Sequence, residues 1–257
     1  MANNGIIDSF ARIELKYRVP ASKYEALLQK LSDYVEPDEY GETKIFNIYY
    51  DTPDYKLIRK SISKPVYKEK LRLRTYRMPK DTTGAFIEIK KKYAGVVYKR
   101  RITLPYSIAK WHLDYKIPFR EMENRYLDDK SFFTDAQIEK EINSMIDNYK
   151  TLIPAMVIIY DRTAYRGIED PDFRITFDRD IKWRDTDLDI SKGAYGTNLL
   201  KKGERLMEIK IAGAMPIEIA RILSELKIYK SSYSKYGSGY LQLLEREKYE
   251  KGIRKYV

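Results

Sequence analysis

Lys70-Leu71-Arg72-Leu73-Arg74, followed further on by Glu88-Ile89-Lys90-Lys91-Lys92, is the stretch that decides how this chain folds. Residues two apart on a strand point to the same face. The first segment therefore projects Lys70, Arg72 and Arg74 one way and Leu71 and Leu73 the other. The same alternation returns in Glu14-Leu15-Lys16-Tyr17-Arg18, Arg174-Ile175-Thr176-Phe177-Asp178 and Glu208-Ile209-Lys210. A lone charged residue on the wet face of an antiparallel sheet is ordinarily just solvated. Repetition of one sign across several strands is different, because like charges stacked on neighbouring strands repel by about 0.2–1 kcal/mol per pair. An anion offsets that cost. One apolar face and one cationic face seeded with carboxylates suit a polyphosphorylated ligand and its metal ion.

The 257 residues suffice for a full core, as one large domain or two small ones. A net charge of +11 favours an anionic partner: nucleic acid, acidic lipid or phosphorylated small molecules. The absence of cysteine removes disulfides, Cys-ligated zinc and thiol nucleophiles, and fits a reducing compartment. His112 is the single histidine, so a His-rich metal site or a Ser-His-Asp triad has almost nothing to work with. It sits beside Trp111 in an expected helix and reads as a packing or surface residue. No stretch approaches the roughly 20 apolar residues that span a bilayer, and Met1 to Phe10 lack the features of a secretory signal. The expectation is a cytoplasmic protein with no direct membrane insertion.

Strands are expected at 10–19, 44–50, 66–77, 85–92, 96–104, 155–166, 172–180 and 205–211. Helices are expected from Pro20-Ala21-Ser22, from Met215-Pro216-Ile217 to Lys227, and from about Gly239 to Glu250. Residues 105–150 lose strand alternation and carry Ile138, Ile142, Met145 and Ile146 at helical spacing, which reads as a helical insertion. No repeat or linker composition appears, so a single domain over 1–257 is expected. The fold class is α+β: an antiparallel β-barrel, or tunnel, of about eight strands with helices packed outside and the cations within.

No glycine-rich phosphate loop, dinucleotide fingerprint, zinc-helix motif or EF-hand loop occurs. Phosphate would be held by side-chain cations, and arginine's planar fork suits its oxygens. Nucleic acid is not the expected partner: a duplex does not fit inside a barrel, and aromatics fall mostly on the opposite parity from the cations, unlike an RNA-binding sheet.

Nine motifs in order then carry a resemblance. They are Glu14-x-Lys16-Tyr17, Ile48-Tyr49-Tyr50-Asp51-Thr52, Lys70-x-Arg72-x-Arg74-x-Tyr76, Phe86-Ile87-Glu88-x-Lys90-x-Lys92 and Lys99-Arg100-Arg101. Tyr160-x-Arg162-x-Ala164-Tyr165, Arg174-x-Thr176-x-Asp178, Met207-Glu208-x-Lys210 and Ser234-Lys235-Tyr236 follow. From about residue 10 to residue 240 the chain resembles the polyphosphate polymerase domain of the vacuolar transporter chaperone (VTC) family, a branch of the triphosphate tunnel metalloenzymes. The resemblance implies transfer of the γ-phosphate of ATP to a growing inorganic polyphosphate chain, assisted by Mn²⁺ or Mg²⁺. It makes Lys16, Arg72, Arg74, Lys90, Arg162, Arg174 and Lys235 phosphate ligands, with Lys99 or Arg101 as an addition and Ser234 as a hydroxyl contributor. Arg18, Lys70, Lys92 and Lys210 share the same faces and join the substrate-binding set. Glu208 matches the family's metal-binding glutamate, with Glu14 as a second candidate.

The chain departs from the wider superfamily, whose first strand reads Glu-x-Glu-x-Lys; here the triplet is Arg12, Glu14 and Lys16. One metal-binding carboxylate is thus a cation, which fits the VTC branch better than the triphosphatases. With no membrane segment expected, export of a product would need a separate membrane protein. The alternatives are hydrolysis of tripolyphosphate or nucleoside triphosphates in the same tunnel, and polyphosphate binding without catalysis.

Overall fold

The computed structural model describes residues 13–94, 96–118, 121 and 135–253. Arg12 and most of 119–134, within the expected helical insertion, lie outside the described residues. In chain order the elements are β1 (Ile13–Val19), α1 (Ala21–Leu31), β2 (Val35–Asp51), α2 (Lys56–Ile62), β3 (Tyr67–Thr75), β4 (Gly84–Tyr93), β5 (Val96–Pro105) and α3 (Tyr106–Tyr115). Then come α4 (Ala136–Tyr149), β6 (Ile153–Gly167), β7 (Arg174–Arg184), β8 (Thr197–Asn198), β9 (Arg205–Ile211), α5 (Ile217–Glu225) and α6 (Lys235–Ile253).

The strands form one antiparallel sheet of order β1-β9-β7-β6-β2-β3-β4-β5, with β8 on β7 and helices packed around it. The expected antiparallel α+β architecture is present. Among the described residues no ladder joins β1 to β5, so the sheet is open between its end strands. The β5 end is blunted by Lys99, Arg100 and Arg101, a common protection for an edge strand.

Backbone contacts group the chain into two compact units. The first takes the described residues of Met1–Gly41, Thr163–Phe177 and Gly203–Ser232. Its core joins Tyr17 and Val19 of β1 to Met207 and Ile209 of β9, roofed by Leu27 and Leu31 of α1 and Ile219, Ile222 and Leu223 of α5. The second unit holds Glu42–Arg162, Asp178–Lys202 and the described residues of Tyr233–Val257. There Leu71, Leu73, Ile87, Ile89 and Ile102 are fully buried beneath Ile108 and Leu113 of α3 and Ile142 and Met145 of α4. Each such side chain contributes about 1.5–3 kcal/mol by leaving water, which fixes strand parity because a one-residue slip would expose the whole set.

Three elements differ from expectation. β2 runs nine residues further back than Lys44, through Pro37 and Gly41, which in sequence read as breakers. α2 was not expected: its seven residues have no capping residue next to them. Asp51, several residues upstream, accepts from the backbone N–H groups of Leu57 and Ile58 at 2.8 and 3.0 Å. α6 begins at Lys235 rather than about Gly239. Gly239 allows close approach there: a Cβ on it would lie 2.6 Å from the Met156 sulfur on β6.

Candidate functional site

In the second unit, the strand parity that buries Leu71 and Leu73 turns Lys70, Arg72 and Arg74 to the opposite face. The register places Arg72 across from Glu88, and Lys90 between Lys70 and Lys99. Glu88 is a hub. It is 1% exposed, and its carboxylate lies 2.5 Å from Arg72 Nε, 3.1 Å from Lys99 Nζ and 3.5 Å from Arg74 Nε. Burial works against a charge there. The three cations outweigh it, Arg72 foremost, and hold the carboxyl well below the usual carboxylate range. Arg72 is partly buried, yet Glu88 keeps its guanidinium charged, pushing its pKa above the ordinary value.

β2 lines up beside this cluster, with Asn47 opposite Arg74 and Tyr49 opposite Arg72. Arg74 Nε donates to Asn47 Oδ1 at 2.9 Å, and Arg72 Nη1 to the Tyr49 hydroxyl at 3.2 Å. Burial alone would raise the Tyr49 pKa; the field of Arg72, Lys70 and Arg74 reverses that and brings it down to about 8. The Tyr49 ring stacks on Tyr236 with centroids 4.5 Å apart, and the Tyr236 hydroxyl donates to Asp51 at 2.8 Å.

A second carboxylate of this unit organises two further cations. Asp178 is fully buried and accepts twice from Arg162, at 2.6 and 2.8 Å. The Oδ2 that accepts from Arg162 Nη2 also lies 2.5 Å from Lys235 Nζ. Arg162 and Lys235 also sit over the ring of Tyr160, at 5.4 and 4.7 Å. Ser234 opens α6, accepting from the N–H of Gly237 at 3.1 Å, and its Oγ accepts from Lys70 Nζ at 3.0 Å. Lys92 lies opposite Lys68 and Val97, toward the end of the hairpin. Arg101 is across from Glu88 in register, but its guanidinium lies over Phe86, 4.9 Å from the ring centre.

The first unit carries a separate set on β1 and β9. Lys16 faces Glu208 and Glu14 faces Lys210 across the ladder. The Lys16 ammonium sits between the two carboxylates, 3.1 Å from Glu14 and 3.4 Å from Glu208, with Glu208 7% exposed. Arg18 is engaged elsewhere, donating twice to Glu204 at 2.7 and 2.9 Å. Arg174 is half-exposed and 3.6 Å from Asp38.

The sequence profile of the VTC domain matches residues 11–244. The chain belongs to the VTC domain family. No curated protein matches it. In structure this VTC domain is similar to a proposed adenylyl cyclase from Hippeastrum described as having dominant triphosphatase activity. The identity is 16% and the TM-score 0.52, over 90% of this chain and 96% of that one. A proposed adenylate cyclase from Bacillus halodurans is similar at 16% identity and a TM-score of 0.49, over 87% and 95% of the two chains.

The resemblance to tunnel metalloenzymes implies a divalent ion, and the residues present can be tested against it. Among the described residues no group of three or more His, Cys, Asp or Glu side chains gathers for a metal. Glu14 and Glu208 nevertheless gather around one positive charge, the Lys16 ammonium, and offer only hard oxygen donors. That set fits an ion such as Mg²⁺, which takes one or two carboxylates and keeps the rest of its shell for water and phosphate oxygens.

The sequence names the cations of this VTC domain, and places Glu14, Glu88 and Asp178 on the same charged faces either as ion-pair partners that space the cations or as metal ligands. Glu88 and Asp178 turn out to be ion-pair hubs. Asn47, Tyr49 and Tyr160 line the cationic cluster. The alternation Phe46-Asn47-Ile48-Tyr49-Tyr50 held the signal for two of them, since Phe46, Ile48 and Tyr50 are core residues.

Proposed function

We propose that this VTC domain transfers the γ-phosphate of ATP to the end of an inorganic polyphosphate chain. The observation that carries the reading is the imbalance around two buried carboxylates. Arg72, Arg74 and Lys99 meet Glu88, while Arg162 and Lys235 meet Asp178. Phosphoryl transfer asks a protein mainly to position its reactants and neutralise developing charge. Fixed arginine forks and lysines do both, for two substrates that are each a short run of phosphates. The acceptor is an ionised terminal phosphate, so no general base is needed, and the want of histidine in the cluster is no obstacle. Arg72, Arg74, Lys90, Arg162 and Lys235, with Lys70, Lys99 and Ser234, are assigned to phosphate in one unit; Lys16, Arg174 and Lys210 are assigned to it in the other. Glu208, seconded by Glu14, would hold Mn²⁺ or Mg²⁺, which supplies charge neutralisation on phosphate oxygens. The continuous family match over 11–244 supports treating both units as parts of one domain. We assign the domain to the cytoplasm, with a separate membrane protein handling any export.

Hydrolysis is the second reading, favoured by the triphosphatase activity described for the Hippeastrum protein of similar fold. The two separate cleanly by product stoichiometry. Transfer releases ADP without a matching amount of free phosphate; hydrolysis releases free phosphate or diphosphate in proportion to nucleotide consumed. Equimolar ADP and phosphate from the purified protein, with and without added polyphosphate, would replace transfer by hydrolysis.

A further inference from the structure

The end of the β4–β5 hairpin has a composition that the phosphate cluster does not account for. Its strands read Lys90-Lys91-Lys92-Tyr93 outward and Val96-Val97-Tyr98-Lys99-Arg100-Arg101 back. Tyr93 pairs with Val96 at the last rung, Lys92 with Val97 and Lys91 with Tyr98. Beside them, the Ala94 N–H donates to Val66 O at 3.0 Å, bringing the start of β3 to the same end. Tyr93, Val96, Val97, Tyr98 and Val66 are each 48% or more exposed. Isolated exposed apolar residues are unremarkable, but four at the end of one hairpin with Val66 beside them form a cluster.

Charges lie among this patch as well as behind it, Lys92 sharing a rung with Val97 and Lys91 with Tyr98. Lys92 and Lys68 face each other one rung behind Tyr93. Burial, together with repulsion from Lys92, Lys64 and Lys90, makes the Lys68 ammonium easier to deprotonate than usual. Lys91 and Arg100 share Glu141 of α4, at 3.0 and 4.0 Å. An apolar, tyrosine-bearing end whose second and third rungs also carry lysines suits an anionic lipid surface. There, apolar groups sit about 5–10 Å into the headgroup–acyl boundary and basic groups stay at the phosphates. At roughly 3.3 Å per residue along a strand, Tyr93 and Val96 lead by one rung, and the long stems of Lys92 and Lys91 let their ammonium groups reach back to the phosphates. Lysine stems lying along apolar surface extend the fit. Free polyphosphate gains nothing from valines and tyrosines. Self-pairing of two β5 edges is disfavoured by the Lys99-Arg100-Arg101 run.

We infer that the β4–β5 tip, with Val66 beside it, docks this protein onto an anionic membrane surface without crossing it. The inference does not rest on the polymerase reading. It is tested by flotation with vesicles of phosphatidylcholine alone, and of phosphatidylcholine mixed with phosphatidylglycerol. The wild type is expected to float with the mixed vesicles roughly tenfold or more above the neutral ones, because two basic side chains near an anionic leaflet suffice for that factor. Val96→Ser with Tyr98→Ser, and separately Arg100→Glu, should reduce flotation toward the neutral level. All should keep the wild-type thermal shift with tripolyphosphate, which shows that fold and phosphate cluster are intact. Equal flotation on both vesicle types, or wild-type flotation of the Val96/Tyr98 variant, would overturn the inference. So would failure to float together with concentration-dependent dimerisation, or with binding to an acidic protein through the tip.

Discussion

Replacing Glu88 by Gln probes the cationic cluster at the point where its charges balance. The carboxylate is almost wholly buried and stands within 3.5 Å of Arg72, Arg74 and Lys99. Gln keeps the size and removes the charge, leaving three cations to face one another across two strands. Breaking a buried ion pair by removing one partner costs about 3–5 kcal/mol, chiefly because the other charge stays buried. For a chain of this size each kcal/mol moves Tm by roughly 2–4 °C, so the variant should melt about 6–20 °C below wild type in chloride. A polyanion replaces what was lost. In wild type, a ligand at a hundredfold excess over Kd adds about 2.7 kcal/mol. In Glu88→Gln the increment should be larger, because phosphate oxygens take over the vacated role. Thermal unfolding in chloride and in tripolyphosphate at matched ionic strength reads both effects. A variant as stable as wild type in chloride, or an equal tripolyphosphate increment in both proteins, would refute the reasoning.

Other consequences follow from the same geometry. Leu73→Ala should cost about 2–5 kcal/mol, as for a fully buried leucine, while Arg72→Ala should abolish tripolyphosphate binding at a smaller cost, since Lys99 and Arg74 still neutralise Glu88. Denaturation curves with and without ligand separate the two, and a harmless Leu73→Ala would reverse the assignment of the faces. Tyr49 should show phenolate absorbance developing near pH 8, against about 10 for an ordinary tyrosine, and Tyr49→Phe should remove that step. Because its folded pKa is depressed, the stability Tyr49 contributes is absent below pH 8 and complete only above about pH 10; bound tripolyphosphate should move its titration upward. Glu88 has the same sign at the acid end, its contribution being lost as pH falls below about 4 toward its depressed value. Glu208→Gln should lose divalent-ion dependence in a Mn²⁺ titration of turnover yet still bind tripolyphosphate; unchanged metal dependence would transfer the role to Glu14.

How far the sequence could be read depended on whether its signal was local. Leu71, Leu73, Ile87 and Ile89 alternate with charges, so β3, β4 and the side that buries the leucines were legible from parity alone. β2 before Lys44 was not, because Pro37 and Gly41 look like breakers until partner strands supply hydrogen bonds. α2 depends on Asp51 reaching over several residues, and α6 uses Gly239 to approach Met156. Neither signal is visible in a short window. The cations of the site were legible as residues, and their sharing out was not. Only the register shows that Glu88 takes Arg72, Arg74 and Lys99, or that Arg18 is spent on Glu204. Arg74, Glu88 and Asp178 are buried, so changes there affect both grip and fold.

The central claim is that these cations carry phosphate from ATP onto a polyphosphate chain. Incubation of the purified protein with γ-labelled ATP and Mn²⁺, followed by gel separation, tests it most directly. The expected result is a ladder of labelled chains that lengthens with time and is absent with Arg162→Ala, a variant still folded by its thermal transition. Label appearing only as free phosphate, or chains forming equally well without Arg162, would contradict it.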